Sequence, residues 1–121
     1  MKRISRNRIF LVAAVPISLC MMLATRPAWS DQWTALLTPT AVHIEDDGGV
    51  PAVYINTVQA VINPAGCPSS DGYTVNDPLI TSQSLAIVLT AMTSGQQIML
   101  YISSSTCAVN GRPLATMVQL Q

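Results

Sequence analysis

The stretch SQSLAIVLTAMTSGQQIMLYIS, residues 82–103, decides the fold, because its hydrophobic period changes part-way along. Leu85, Val88, Leu89 and Met92 fall at i, i+3, i+4 and i+7, one face of an α-helix. Asp77-Pro78 or Ser82 supplies a start for that helix, and Gly95 is placed to end it. Beyond the glycine, Ile98, Leu100 and Ile102 alternate with Met99, Tyr101 and Ser103, which is the two-residue period of a strand. A helix therefore runs directly into a strand.

Working outward, the chain on both sides reads as β. Ala35 to Ile44 carries Leu36, Leu37, Val42 and Ile44 around Pro39, as an edge or broken strand does. Asp46-Asp47-Gly48-Gly49 is a turn, and Val50 to Ile62 is rich in β-branched residues, so the two segments form a hairpin. Asn63-Pro64-Ala65-Gly66-Cys67-Pro68 breaks the second strand, and Gly72 to Val75 is a short third one. After the helix and its following strand, Cys107 falls in a loop, Asn110-Gly111 marks a turn, and Leu114 to Leu120 makes the last strand. The expected order is β-β-(β)-α-β-β. This is an α+β chain, mainly β: a small barrel or curled antiparallel sheet with one packed helix.

Charge and compartment follow from the first thirty residues. Lys2, Arg3, Arg6 and Arg8 precede an apolar run from Ile9 to Ala24, and Ala28-Trp29-Ser30 sets small side chains at the positions that a signal peptidase reads. Residues 1–30 are expected to be a signal peptide, and residues 31–121 a single exported domain, periplasmic or secreted. The apolar run is shorter than the ~20 residues a membrane span needs, and Pro16 interrupts it. After cleavage no span is expected. The 91 residues after Ser30 carry Arg112 against six acidic side chains, a net charge of −5, which excludes a basic nucleic-acid binder. They retain two cysteines, and in a small exported domain Cys67 and Cys107 are most simply one disulfide.

Catalytic chemistry needs an activated group and a partner that tunes it, and few are present. His43 is the only histidine, no lysine follows Lys2, and neither a Gly-x-Ser-x-Gly elbow nor a phosphate loop occurs. His43-Ile44-Glu45-Asp46-Asp47 lacks the alternating acidic spacing of a calcium loop and reads as a solvated hairpin end. No enzyme, metal or cofactor is expected. Binding is the remaining class: Tyr54, Tyr73 and Tyr101 are candidate ligand contacts, and Arg112 is the cation available to an acidic ligand such as a sialylated sugar. No charged residue lies between Pro78 and Tyr101, so the helix, Thr81 to Ser94, is a candidate surface for another protein or another copy.

Asn63-Pro64-x-Gly66-Cys67, the helix ending in Ser94-Gly95-Gln96, Cys107 and Gly111-Arg112-Pro113 together resemble a group of short exported Gram-negative proteins. More distantly, the helix followed by Thr93-Ser94-Gly95-Gln96-Gln97-Ile98 and a strand is similar to the B subunits of subtilase-type and pertussis-like AB5 toxins. That resemblance implies an OB-like barrel, a homo-oligomeric ring with its helices inward, and a glycan or protein partner. No counterpart of the toxins' sialic-acid-binding serine and tyrosine positions is found. The functional expectation is a non-catalytic exported binding or assembly domain; the alternative is a monomeric periplasmic accessory protein without a small-molecule ligand.

Overall fold

In the computed structural model, the described residues run from Ser30 to Gln121, so all but the last residue of the expected signal peptide lies outside them. Seven elements follow in order: β1 (Gln32–Trp33), β2 (Pro39–Asp46), β3 (Pro51–Thr57), β4 (Tyr73–Val75), α1 (Thr81–Ser94), β5 (Ile98–Cys107) and β6 (Pro113–Leu120). The chain is α+β and mainly β, as its periods predict. One six-stranded sheet has the order β1-β5-β6-β4-β3-β2.

The pairing is antiparallel except between β4 and β6, which run parallel through Thr74 and Leu114. The barrel or curled sheet expected from the sequence thus contains one parallel seam. Strands β4 and β6 are separated by the helix and β5, and this long crossover lets them enter the sheet in the same direction.

The sheet also closes on itself. Leu37 exchanges two backbone hydrogen bonds with Ile98 on β5, at 2.8 and 2.9 Å, while the next carbonyl, that of Thr38, accepts from Val58 N–H at 3.0 Å. Adjacent residues thus pair with strands from opposite ends of the sheet order. The first segment is in effect one strand in two pieces. It is broken ahead of Pro39, which begins β2, in keeping with the edge or broken strand expected there; an extra residue at Thr40 interrupts the register with β3 and bends the strand. The two-residue β1 was not foreseen, being too short to show a period.

Leu37, Val53, Ile55, Tyr73, Val75, Val88, Ala91, Ile98, Leu100, Ile102 and Ala115 form the core inside this barrel. On β5 the alternation is as predicted, with Ile98, Leu100 and Ile102 all fully buried. The helix is rotated from its expected face. Ser84, Val88 and Ala91 are its buried residues, whereas Leu89 and Met92 remain 45 % and 38 % exposed. Ser84, which is not part of the predicted apolar stripe, is at the packed face. Gly95 ends the helix in the left-handed conformation, φ 71°, as expected. At the other end, Ile80 is the N-cap and gives no side-chain bond; Asp77 instead accepts from the amides of Leu79, through its carboxylate, and of Ile80 and Thr81, through its carbonyl.

Cys67 and Cys107 form the disulfide, with Cα atoms 5.6 Å apart. Cys107 is the last residue of β5 rather than part of the following loop, because its backbone still pairs with Pro113. Asn63 sets Cys67 in place: its side chain accepts from Cys67 N–H at 2.7 Å and donates to Cys67 C=O at 2.8 Å. That two-way clasp gives the Asn63-to-Cys67 spacing a local physical reason.

Candidate functional site

Tyr54 and Arg112, two of the four candidates, meet on the outside of the sheet. Tyr54 lies on β3 with its side chain opposite to the core-facing Val53 and Ile55, and Arg112 follows the turn that joins β5 to β6. The guanidinium sits 3.9 Å from the centre of the Tyr54 ring. Its Nε and Nη2 donate to the two carboxylate oxygens of Asp71, at 2.8 and 3.2 Å, and Nη1 donates to Glu45 at 3.3 Å. The ring of His43 packs edge-on against Tyr54 at 4.5 Å. Tyr54 is only 6 % exposed, so neither face of the ring is free for a ligand.

Amides complete the network. Asn56 donates to the Tyr54 hydroxyl at 2.9 Å and to the Asp71 carbonyl at 2.8 Å, and the Tyr54 hydroxyl donates to that same carbonyl at 2.9 Å. Asn110 donates to Glu45 at 2.6 Å and also bonds the Thr74 hydroxyl. A glycine is required beside the ring: a Cβ on Gly72 would fall 2.5 Å from a Tyr54 ring carbon. Asp47 corrects the reading of this turn as solvated. It is 1 % exposed and accepts from the amides of Val109 and Asn110 and from the Asn76 side chain, so it ties the β2–β3 turn to the β5–β6 turn.

The electrostatics of this cluster oppose an anionic ligand. One guanidinium faces two carboxylates, so the local balance is negative, and the best donor directions of Arg112 are already taken. The Arg112 hydrogen bonds hold the Asp71 carboxyl below the usual carboxylate range, and Asp71 in turn raises the Arg112 pKa. The arrangement is a closed clasp across four segments of the barrel. No group of three or more histidine, cysteine, aspartate or glutamate side chains among the described residues is placed to hold a metal ion.

The other two candidates lie elsewhere. Tyr73 is fully buried in the core, where burial raises its pKa, and its hydroxyl accepts from Ile62 N–H at 2.9 Å. Tyr101 is on the outer face of β5, beside Trp33 on β1 with ring centres 5.3 Å apart. A nearby carboxylate as partner of Arg112 is a reading the sequence allows, but it does not identify Asp71 and Glu45, nor Asn110, which accepts from the Arg112 amide, nor Asn56, which bonds Tyr54 and Asp71. Only the Asn110-Gly111 turn signalled the placement of that arginine, while the other partners come from segments brought together by the closure.

The outer face of α1 is the second region of interest. Its hydroxyls are turned back onto the helix: Thr90 donates to Ala86 C=O, Thr93 to Leu89 C=O and Ser94 to Thr90 C=O, at 2.7–2.9 Å. Leu89 and Met92 are exposed between them. A face whose donors are satisfied internally and which carries no charge loses little when water leaves it.

Comparison with family models, with curated proteins and with solved structures returned no match for this chain. Among the described residues, no helix is long and apolar enough to cross a membrane.

Proposed function

We propose that residues 31–121 form an exported, non-catalytic binding and assembly domain on an OB-type barrel, which self-associates through the outer face of α1 and engages a glycan or protein partner. The OB assignment is supported by the order of pairing: a split first strand that contacts both β3 and β5, a parallel β4–β6 seam, and a helix between β4 and β5. Export is supported by the basic and apolar leader of the sequence and by the Cys67–Cys107 disulfide.

The observation that carries self-association is the neutral helix. A chain of net charge −5 after Ser30 repels its own copies over most of its surface, yet α1 has no charged residue and exposes Leu89 and Met92. Two helices from identical copies meet there without like-charge repulsion. Light scattering of the oxidised domain is expected to give a mass several times that of one chain, and Leu89→Asp is expected to reduce it to a monomer that keeps the native circular dichroism spectrum. A monomeric wild type at tens of micromolar would leave the accessory-protein reading instead.

A further inference from the structure

A groove of about 270 Å³ lies between the β2–β3 hairpin and the start of α1 and shares no residue with the Tyr54–Arg112 clasp. Ile44, Pro51, Pro78 and Leu85 make it apolar, and Thr81 and Ser82 stand on its helical side. Ile44 is 62 % exposed, and Leu79, on the lead-in to the helix, is 80 % exposed. Open apolar surface of this kind is stabilised by a partner that covers it.

The charges beside the groove select the partner. Six acidic side chains follow Ser30. Four are bonded to groups outside their own turns: Asp31 to Ser104, Glu45 and Asp71 to Arg112, and Asp47 to Asn76, Val109 and Asn110. Asp46 and Asp77 differ. Among the described residues, each carboxylate accepts only one backbone amide of its own turn, from Gly49 and Leu79 respectively, both at 2.9 Å, and neither meets a cation. Both border the groove. Asp46 follows Ile44 on the same face of β2 and stands opposite Pro51 in the register, while Asp77 directly precedes Pro78. An apolar groove thus has an uncompensated carboxylate next to each of its two prolines.

We propose that this groove binds a cationic peptide segment of a partner protein, with an apolar side chain entering between Ile44 and Leu85 and a lysine or arginine on either side meeting Asp46 and Asp77. Charge complementarity selects that occupant. The anions that a helix N-terminus usually attracts would here meet two carboxylates. A second copy of the domain cannot supply the cations, because the one basic side chain after Ser30, Arg112, is held by Asp71 and Glu45. A bare cation leaves the apolar walls open, and a neutral apolar group leaves both carboxylates without partners. The inference rests on the reading of the chain as a binding domain, takes the protein partner rather than the glycan, and does not depend on self-association.

Titration of the oxidised chain, purified after export, with the peptide acetyl-RLRLR-amide tests it, followed by the NMR shifts of the Ile44, Thr81, Ser82 and Leu85 amides. Acetyl-RSRSR-amide keeps the charge without the apolar side chains, acetyl-QLQLQ-amide keeps those side chains without the charge, and acetyl-ELELE-amide reverses the charge. At low salt the first peptide is expected to saturate those shifts with a dissociation constant of about 1 mM or below, and each control to bind at least about fivefold more weakly. Asp46→Asn combined with Asp77→Asn keeps the oxygens that accept from Gly49 and Leu79 and removes both charges. That variant is expected to keep the native spectrum elsewhere and to bind the first peptide about five- to tenfold more weakly, the effect of two exposed ion pairs. No saturable shift up to about 10 mM, ten times the expected constant, would overturn the groove. So would equal binding of any control peptide, or an unaltered affinity in the double variant. The light-scattering mass separates the two proposals: a monomer that binds the peptide overturns only self-association, and an oligomer that binds none overturns only the groove.

Discussion

Arg112 holds Asp71 in two-point contact, stacks on Tyr54 and reaches Glu45, three demands that a planar guanidinium meets together. A lysine meets only one of them at a time. Arg112→Lys is therefore expected to cost about 1–2 kcal/mol, measured by urea unfolding at neutral pH. The linked carboxyl gives a pH signature. Because the folded pKa of Asp71 lies below its unfolded value, its contribution is present above about pH 4 and is lost as the pH falls through the folded value. Asp71→Asn should thus flatten part of the acid limb of the stability curve, with a small effect because that side chain is 59 % exposed. An unaltered acid limb would assign the acid sensitivity to other groups, Asp31 among them, whose pKa is lowered by the Ser104 amide. At this scale the sequence was readable for types, not partners: Tyr54 and Arg112 stood out, but nothing local joins Glu45 to Asn110 across 65 positions.

Helix α1 shows how far a period can be trusted. Leu85, Val88, Leu89 and Met92 announce a helix correctly, and Gly95 its end, but hydrophobicity alone placed the buried stripe to one side of its true position. Small residues seat the helix against the barrel: Ser84 and Ala91 sit at the contact, with Val88 between them, and bulkier neighbours are pushed outward. Size at the interface overrode hydrophobicity, and a sequence pattern does not record the space available. Truncations report the difference. Val88→Ala is expected to cost about 2 kcal/mol, while Leu89→Ala at its exposed site should stay near 0.5 kcal/mol in the monomeric protein. Equal costs by thermal or urea unfolding would return Leu89 to the core. The β elements were legible where alternation was long, as in β5, and illegible in β1, where two residues carry no pattern.

The whole molecule is held by two long-range devices, the disulfide and the closure of the sheet. The disulfide joins the segment before β4 to the end of β5 over a separation of 40 residues, enclosing the helix in its loop. Replacing both cysteines, Cys67→Ser with Cys107→Ala, is expected to lower stability by roughly 3–4 kcal/mol, measured against the oxidised protein in guanidinium. A much smaller loss would mean that the barrel's own packing suffices. Composition foretold the disulfide, and element order foretold a curled sheet, because both are properties of the chain as a list. Which ends meet is a property of three dimensions.

The split first strand sets the timing of assembly. The Leu100 amide bonds the Thr34 hydroxyl across 66 positions, and Leu37 waits nearly as long for Ile98. A chain made from its amino end therefore has its opening segment in hand early and the receptor for that segment only near the finish. Until residues 98–120 arrive, the β2–β3 hairpin has no roof and the parallel seam has no second side. Such a barrel cannot complete itself piecemeal behind the ribosome, and contacts of this range fold slowly. The nascent polypeptide stays threadable for most of its synthesis, the condition under which a chain can still be passed through a narrow pore.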